Sequence, residues 1–317
     1  MTMTGAHPWS TSLFADLDVE VELDAPLGVH TWYAIGGKAD ALVRPRSEDA
    51  LATLLRRCAR NGVRVRTLGA GANLLVDDDG VDGVVIKLDA PCFQELRLNA
   101  EGAPGRAHVG GGRDLGKTIH ETVRASLAGL EPLIGIPATV GGAVRMNAGG
   151  KYGAIGDVVE SVGLVTPSGE RRTYSKDAIG FSYRHTDLPA GTVTWAVLRL
   201  TPADTAALRV RLREISAYKA SVQPLGDLSA GCMWKNPVIE ATGQRVSAGK
   251  LIDEAGLKGT SVGGATVSMQ HGNFITVRPG ARAVDVMELA ERVGQEVLAR
   301  TGVRLEREVV FWKRGQD

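Results

Sequence analysis

Cysteine is scarce in this chain of 317 residues, with three in all (Cys58, Cys92 and Cys232). An odd count without paired metal-ligand spacing excludes a disulfide framework and a cysteine zinc site, and a reduced, cytoplasmic protein is the expectation. An excess of either charge is missing too. Thirty-seven Lys and Arg face 36 Asp and Glu, a net charge of +1, which argues against the basic surface of a nucleic-acid binder. No hydrophobic run is long: the most apolar stretch, Pro132 to Val144, spans 13 residues and contains two prolines, too short to cross a bilayer, so no membrane partner is expected. The first 20 residues hold neither a basic segment nor an apolar one, so no signal peptide is expected, and they match no motif. The six histidines (His7, His30, His108, His120, His185 and His271) form no H-E-x-x-H pair, and no metal is expected. A G-x-S-x-G elbow and a G-x-x-x-x-G-K-[ST] loop are also absent.

What is present is a packed-core composition, 44% hydrophobic, with 40 glycines, about one residue in eight against a usual share of ~7%. The glycines cluster in Ile35-Gly36-Gly37, Gly69-Ala70-Gly71-Ala72-Asn73, Val109-Gly110-Gly111-Gly112, Gly141-Gly142 and Ala148-Gly149-Gly150. Such runs serve positive φ angles or close approach of backbone to a ligand. Around them, helical and strand periods alternate. Ser47 caps a helix whose stripe is Ala50, Leu51, Leu54, Leu55 and Cys58, and Asn61-Gly62 stops it. Strands follow at Val63 to Leu68 and Val84 to Ile86, an order typical of an α/β layer. Beyond Cys92 the spacing predicts a strand at Ala107 to Val109, a helix over 113–124, and β-rich chain at 158–166, 173–174 and 192–200. Helices are expected at about 205–220 and 248–255, and a longer one carries Val286, Leu289, Ala290, Val293 and Val297 inward before Thr301-Gly302 ends it. The tail from Leu305 to Trp312 reads as one strand, with Glu306 and Glu308 on a common face.

Two glycine segments admit two readings each. Leu68 to Leu74 follows a strand, as an anion nest would, but Leu74 breaks the G-x-G-x-x-G pattern and a tight turn fits as well. Gly135 to Ala143 carries almost no functional side chain, which suits the face of a flat aromatic ring or a packed interdomain loop. Three isolated residues are chemically able. Arg184 in Ser182-Tyr183-Arg184 can clamp a carboxylate, Cys232 lies in a small-residue turn, Ser229 to Pro237, and Glu308 lies in the tail.

In this order the segments resemble one family, the UDP-N-acetylenolpyruvoylglucosamine reductases. The resemblance rests on Thr31 to Gly37, Leu68 to Leu74, Gly129 to Gly149, Phe181 to Arg184, Ser229 to Pro237, Ala248 to Asp253, His271 to Ile275 and Leu305 to Val309, and covers about 31–310. The lack of a large insertion is similar to the shorter of the family's two subtypes. The resemblance implies an α+β chain: a two-domain FAD-binding fold of the vanillyl-alcohol-oxidase (PCMH) type plus a C-terminal α+β substrate domain. The implied boundaries are 21–90 for the first FAD-binding subdomain, 91–205 with the C-terminal strand 302–317 for the second, and 206–301 for the substrate domain. It implies non-covalent FAD, NADPH as electron donor, UDP-N-acetylglucosamine enolpyruvate as substrate, and a monomer. The cofactor residues it implies are Tyr33, Ile35, Gly36, Gly69, Ala70, Gly71, Ala72, Asn73, Leu74, Gly110, Gly135, Ile136, Pro137, Thr139, Gly141, Gly142, Asn147, Ala148, Gly149 and Ile155. For the substrate it implies Tyr183, Lys235, Asn236 and Asn273, with Tyr218 and Gln270 as further candidates.

The catalytic residues it implies are Arg184 for the developing enolate, Glu308 as its hydrogen-bonding partner, and the proton donor at position 232. Most family members place Ser at that last position. A thiol with an ordinary pKa of about 8.5 still carries its proton at neutral pH, so Cys232 can donate. A second departure is Val222, where the family commonly has Lys; Lys219 lies one helical turn earlier. Two rivals follow: another FAD-linked oxidase of the superfamily acting on a small alcohol or sugar, and an inactive flavin-binding paralogue. The absence of His from the glycine loops speaks against the covalent flavin common in such oxidases.

Overall fold

The computed structural model describes residues 10–239 and 242–316; His7, among the histidines weighed above, lies outside them. The chain divides into two compact units. The first comprises the described residues up to Ala25, Ala39–Ala70 and Gly83–Ala217, and the second comprises Pro26–Lys38, Gly71–Asp82 and the described residues from Tyr218 on.

Two cores support the first unit. One lies beneath a four-stranded sheet in the order Val19–Pro26, Lys38–Pro45, Val81–Lys87, Val65–Leu68, whose last pair is parallel. The helix Glu48–Arg60 packs on it through Leu51, Leu54, Leu55 and Cys58, all buried. Each leucine so placed contributes about 1.5–3 kcal/mol of burial, and burial pushes the Cys58 thiol up. The Ser47 Oγ accepts from Ala50 N–H at 3.1 Å, closing the helix start, and Gly62 at φ +64 leads the chain away. The other core lies under a five-stranded antiparallel sheet in the order Arg171–Ser175, Val159–Val165, Thr192–Arg199, Arg106–Gly110, Leu96–Arg97. The helix Leu115–Arg124 caps on Asp114 and turns Leu115, Ile119 and Val123 inward. Gly163 is demanded by the Trp195 indole, which would stand 2.1 Å from a Cβ there.

The second unit builds its core from the helices Ala248–Glu254 and Ala283–Thr301 and the sheet Ser261–Val262, Ala265–Val267, Ile275–Val277. The long helix buries Val286, Leu289, Ala290, Val293 and Val297, the stripe read from the sequence, and ends on Gly302 at φ +71. Asp78 closes its start by accepting from Ala283 N–H at 2.8 Å and Val284 N–H at 3.1 Å.

The tail departs from expectation. It is a strand only over Val310–Trp312, which pairs in parallel with Leu74–Val76 and not with the sheet of residues 91–205. Residues 305–309 are irregular, with one isolated bridge between Trp234 and Arg307, so strand alternation does not govern Glu306 and Glu308. Among the described residues no helix is long and apolar enough to cross a membrane, and no cluster of His, Cys, Asp or Glu could hold a metal ion.

Candidate active site

In the first unit, a cleft of about 100 Å³ is walled by Gly69, Gly111, Gly112, Thr139, Gly141 and Gly142, with Thr67, Lys87, Asp89, Arg145 and Thr192 among its other residues. Its walls are backbone held at close range. Gly111 N–H donates to Thr194 O at 2.7 Å, and Gly141 N–H to Gly111 O at 2.8 Å. A Cβ would stand 2.9 Å from Gly111 O at Gly141, and 2.9 Å from Thr139 Oγ1 at Gly69. The neighbouring charges are already engaged. Arg145 donates to the carbonyls of Leu188, Pro189 and Gly191 at 2.8–2.9 Å, and Lys87 pairs with Asp89 at 3.0 Å. Small, glycine-rich walls without a carboxylate cluster leave room for close approach of the phosphate-bearing part of FAD.

Several residues expected at the cofactor occupy this cleft, namely Gly69, Thr139, Gly141 and Gly142. Gly135 is exposed at φ +76 beside half-buried Ile136 and Pro137. Ala70 and Ala148 are half-buried, and Gly149 pairs with Ala154 in a short hairpin. Two expectations are corrected. Gly110 is buried against Phe93 O, which would lie 2.2 Å from a Cβ, and its neighbours Gly111 and Gly112 take the cleft position. Ile155 is fully buried in the core, its N–H donating to Ala148 O and its carbonyl accepting from Val158 N–H. The glycine run at 110–112 was the signal for the two missed residues.

Arg184 sits in the same unit on a tight hairpin, where Phe181–Ser182 pairs with His185–Thr186 around the turn Tyr183-Arg184. Its φ of +56 is a left-handed conformation that a non-glycine residue adopts at a cost. The guanidinium lies 5.1 Å from the centre of the Tyr183 ring. Asn147 anchors the hairpin: its Nδ2 donates to Ser182 O at 2.7 Å, while its Oδ1 accepts from Gly156 N–H at 3.1 Å. Both ends of its side chain are thus engaged by the protein.

The second unit carries the other candidates. Tyr33 is completely buried beside Ala230, and desolvation raises its pKa; it belongs to the core, not to a cofactor surface. Ile35 packs on that core, and Gly36, at φ +119, would place a Cβ 2.7 Å from Val76. Gly71, at φ +66, would place one 2.0 Å from His30 O. Ala72 is half-buried, Leu74 lies opposite Val310, and Asn73 Nδ2 donates to Glu308 O at 3.1 Å.

Cys232 is half-buried after Gly231, at φ +76, and bridges Phe274. One residue on, Met233 N–H donates to Asn273 O at 2.7 Å, and Glu308 N–H donates to Met233 O at 2.8 Å. The structure therefore brings the segments of Asn73, Cys232, Asn273 and Glu308 together. Lys235 Nζ pairs with Glu306 at 2.5 Å, so one of the two tail carboxylates noted in the sequence is engaged by a lysine. Asn236 Oδ1 caps the helix Ala248–Glu254 by accepting from Ala248 N–H at 3.0 Å. Asn273 is 3% exposed and gives both ends of its carboxamide to Trp234; burial therefore corrects its assignment as a substrate contact. Lys219 and Val222 lie in the last turns of the helix Thr205–Val222. Tyr218 is exposed, and Gln270 Nε2 donates to Ala220 O at 3.2 Å.

Comparison with known proteins gives consistent matches. The family described as UDP-N-acetylenolpyruvoylglucosamine reductase, C-terminal domain, matches residues 223–312, and the FAD binding domain family matches 39–175. A protein named UDP-N-acetylenolpyruvoylglucosamine reductase from Desulfosudis oleivorans is 42% identical over 315 residues, covering 97% of this chain and 98% of its own. One of the same name from Moorella thermoacetica is 40% identical over 301 residues, covering 94% and 95%. The crystal structure of UDP-N-acetylenolpyruvylglucosamine reductase from Thermus caldophilus, 38% identical, matches 94% of this chain and all of its own with a TM-score of 0.78.

Proposed function

The chain belongs to the UDP-N-acetylenolpyruvoylglucosamine reductase family, and we propose that Arg184, Cys232 and Glu308 carry out its reaction with Cys232 as the proton donor. The reaction is the FAD-dependent reduction, by NADPH, of UDP-N-acetylglucosamine enolpyruvate to UDP-N-acetylmuramate in peptidoglycan precursor synthesis. FAD, when bound, would supply the redox chemistry by which hydride from NADPH reaches the terminal carbon of the enolpyruvyl group. The negative charge then grows on the carbon bearing the ether oxygen and on its carboxylate. Arg184 binds that carboxylate and stabilises the charge as it develops. Cys232 Sγ gives its proton to the ether-bearing carbon, which completes the saturated lactyl group. Glu308 hydrogen-bonds the same carboxyl or the thiol.

The observation that carries the assignment of Cys232 is the stitching of its segment to Glu308, through Glu308 N–H to Met233 O, and to Asn273 and Phe274 on the other side. Lys235 and Asn236 follow in the same segment and are proposed to contact the sugar nucleotide. The glycine cleft of the first unit is proposed to admit the phosphate-bearing part of FAD close to the backbone, without a broad basic surface, consistent with the near-zero net charge. A cytoplasmic monomer completes the reading.

Anaerobic mixing of NADPH-reduced protein with UDP-N-acetylglucosamine enolpyruvate tests the activity. Reoxidation of the flavin with stoichiometric UDP-N-acetylmuramate is expected. Failure to reoxidise without oxygen, together with peroxide release in air, would instead identify an oxidase.

A further inference from the structure

The segment that bears Cys232 is not held by a continuous strand ladder. Between Ser229 and Pro237 the pairing is reduced to isolated bridges, Cys232 with Phe274 and Trp234 with Arg307. Three hydrogen bonds on one side fix it, and all three belong to Asn273. Its carbonyl accepts from Met233 N–H at 2.7 Å. Its Oδ1 accepts from Trp234 N–H at 2.9 Å, and its Nδ2 donates to Trp234 O at 2.8 Å. The carboxamide thus acts as a peptide group inserted beside Trp234, offering one acceptor and one donor in the place of a missing strand neighbour.

The clamp is itself held. Asn273 N–H donates to His271 Nδ1 at 3.1 Å, and the His271 ring meets Phe274 edge-on at 4.9 Å between centres. Phe274 is the residue opposite Cys232. A chain of contacts therefore runs from His271 through Phe274 to Cys232 and through Asn273 to the two residues that follow it, Met233 and Trp234. Burial lowers the His271 pKa, with the Lys258 cation acting in the same direction, which keeps Nδ1 available as an acceptor. Lys258 is paired with Asp253 at 2.7 Å.

We propose that Asn273 is the positioning residue for Cys232, a buried carboxamide clamp that fixes where the thiol proton is delivered. The proposal rests on Cys232 being the proton donor. Proton delivery is sensitive to placement, since a shift of ~1 Å in a reacting group costs about a hundredfold in rate.

The decisive variant is Asn273→Asp, which keeps the shape and the acceptor but replaces the Nδ2 donor. An ionised carboxylate repels Trp234 O, whereas a protonated carboxyl restores one donor and one acceptor. At pH 8, Asn273→Asp is expected to slow transfer from the NADPH-reduced protein to the enolpyruvyl substrate by about ten- to a hundredfold. Flavin reduction by NADPH is expected to stay within twofold. Lowering the pH is expected to recover most of the transfer rate in the variant alone. In the substrate-free holoenzyme, alkylation of Cys232 by iodoacetamide, followed by peptide mass spectrometry beside Cys58 and Cys92, is expected to be faster at pH 8 in the variant. A parent-like transfer rate and parent-like alkylation would overturn the proposal. So would equal slowing of both half-reactions with no recovery in acid, the mark of general loosening. Should Asn273→Asp fail to fold, Asn273→Ser decides by the same half-reaction ratio: selective loss of transfer supports the clamp, and full transfer refutes it. Cys232→Ala, run in parallel, separates the two ideas. Product formation by that variant defeats the proton-donor reading itself, whereas its loss beside an unimpaired Asn273→Asp defeats the clamp alone.

Discussion

Removing the Asn147 side chain has two separable costs. Asn147→Ala leaves Ser182 O and Gly156 N–H without partners in a site where Asn147 is 7% exposed; each unsatisfied buried group costs about 1–3 kcal/mol. Residue 147 also sits at φ +43, where a Cβ without the compensation an Asn side chain finds costs about 1–2 kcal/mol. The sum is about 3–8 kcal/mol of stability for Ala. Asn147→Gly loses the same hydrogen bonds without the strain, so it should be milder by about 1 kcal/mol. The loss falls on the hairpin that holds Arg184 at φ +56, so KM for the enolpyruvyl substrate should rise in both variants while flavin reduction by NADPH persists. Urea unfolding of the FAD-loaded protein measures the first effect, and steady-state kinetics the second. A destabilisation below about 1 kcal/mol, or Ala and Gly variants alike in stability with an unchanged KM, would refute the reasoning.

Three further outcomes follow from the geometry. Gly71→Ala puts a Cβ 2.0 Å from His30 O, whereas Gly62→Ala, at nearly the same φ, meets nothing within 4 Å. The first should abolish folding or flavin retention, and the second should cost only about 1–2 kcal/mol, as read by bound flavin and thermal unfolding. Asp285 accepts from Gly264 N–H at 2.8 Å and Arg282 N–H at 3.1 Å, which holds its carboxyl below the ordinary 3.8. Its contribution is therefore complete above pH 3.8 and is lost as pH falls through the depressed folded value. Asp285→Asn should remove that acid-side loss, and unchanged acid unfolding would contradict the assignment. Asn273→Asp should show the selective, acid-recoverable slowing of transfer described above.

The legible parts of the fold were those written locally. Ser47, the stripe from Ala50 to Cys58 and the Asn61-Gly62 stop declare a helix within 16 residues, because cap, period and terminator are all near neighbours. The stripe from Val286 to Val297 and its Gly302 end are of the same kind. The tail was misread because its pairing partners, Leu74–Val76 and Met233, are remote in sequence. No local period records that residues 305–309 bond to an irregular segment. The glycine clusters point to positive φ or to ligand approach, and Gly71 and Gly111 are also required by the close backbone of His30 and Val193 in the protein itself. Asn273 shows the same limit within the candidate site. A carboxamide that grips backbone and one that grips a ligand look alike in a single sequence, and only burial with both ends bonded tells them apart. Gly69, Thr139, Gly141 and Gly142 were the expectations that fell in one cleft.

The most direct test of the central claim is anaerobic single turnover of NADPH-reduced Cys232→Ala and Cys232→Ser with UDP-N-acetylglucosamine enolpyruvate, product being quantified beside flavin absorbance. Both variants should accept electrons from NADPH at the parent rate. Cys232→Ser should form UDP-N-acetylmuramate and Cys232→Ala should not. Product formation by Cys232→Ala at the parent rate would contradict the account.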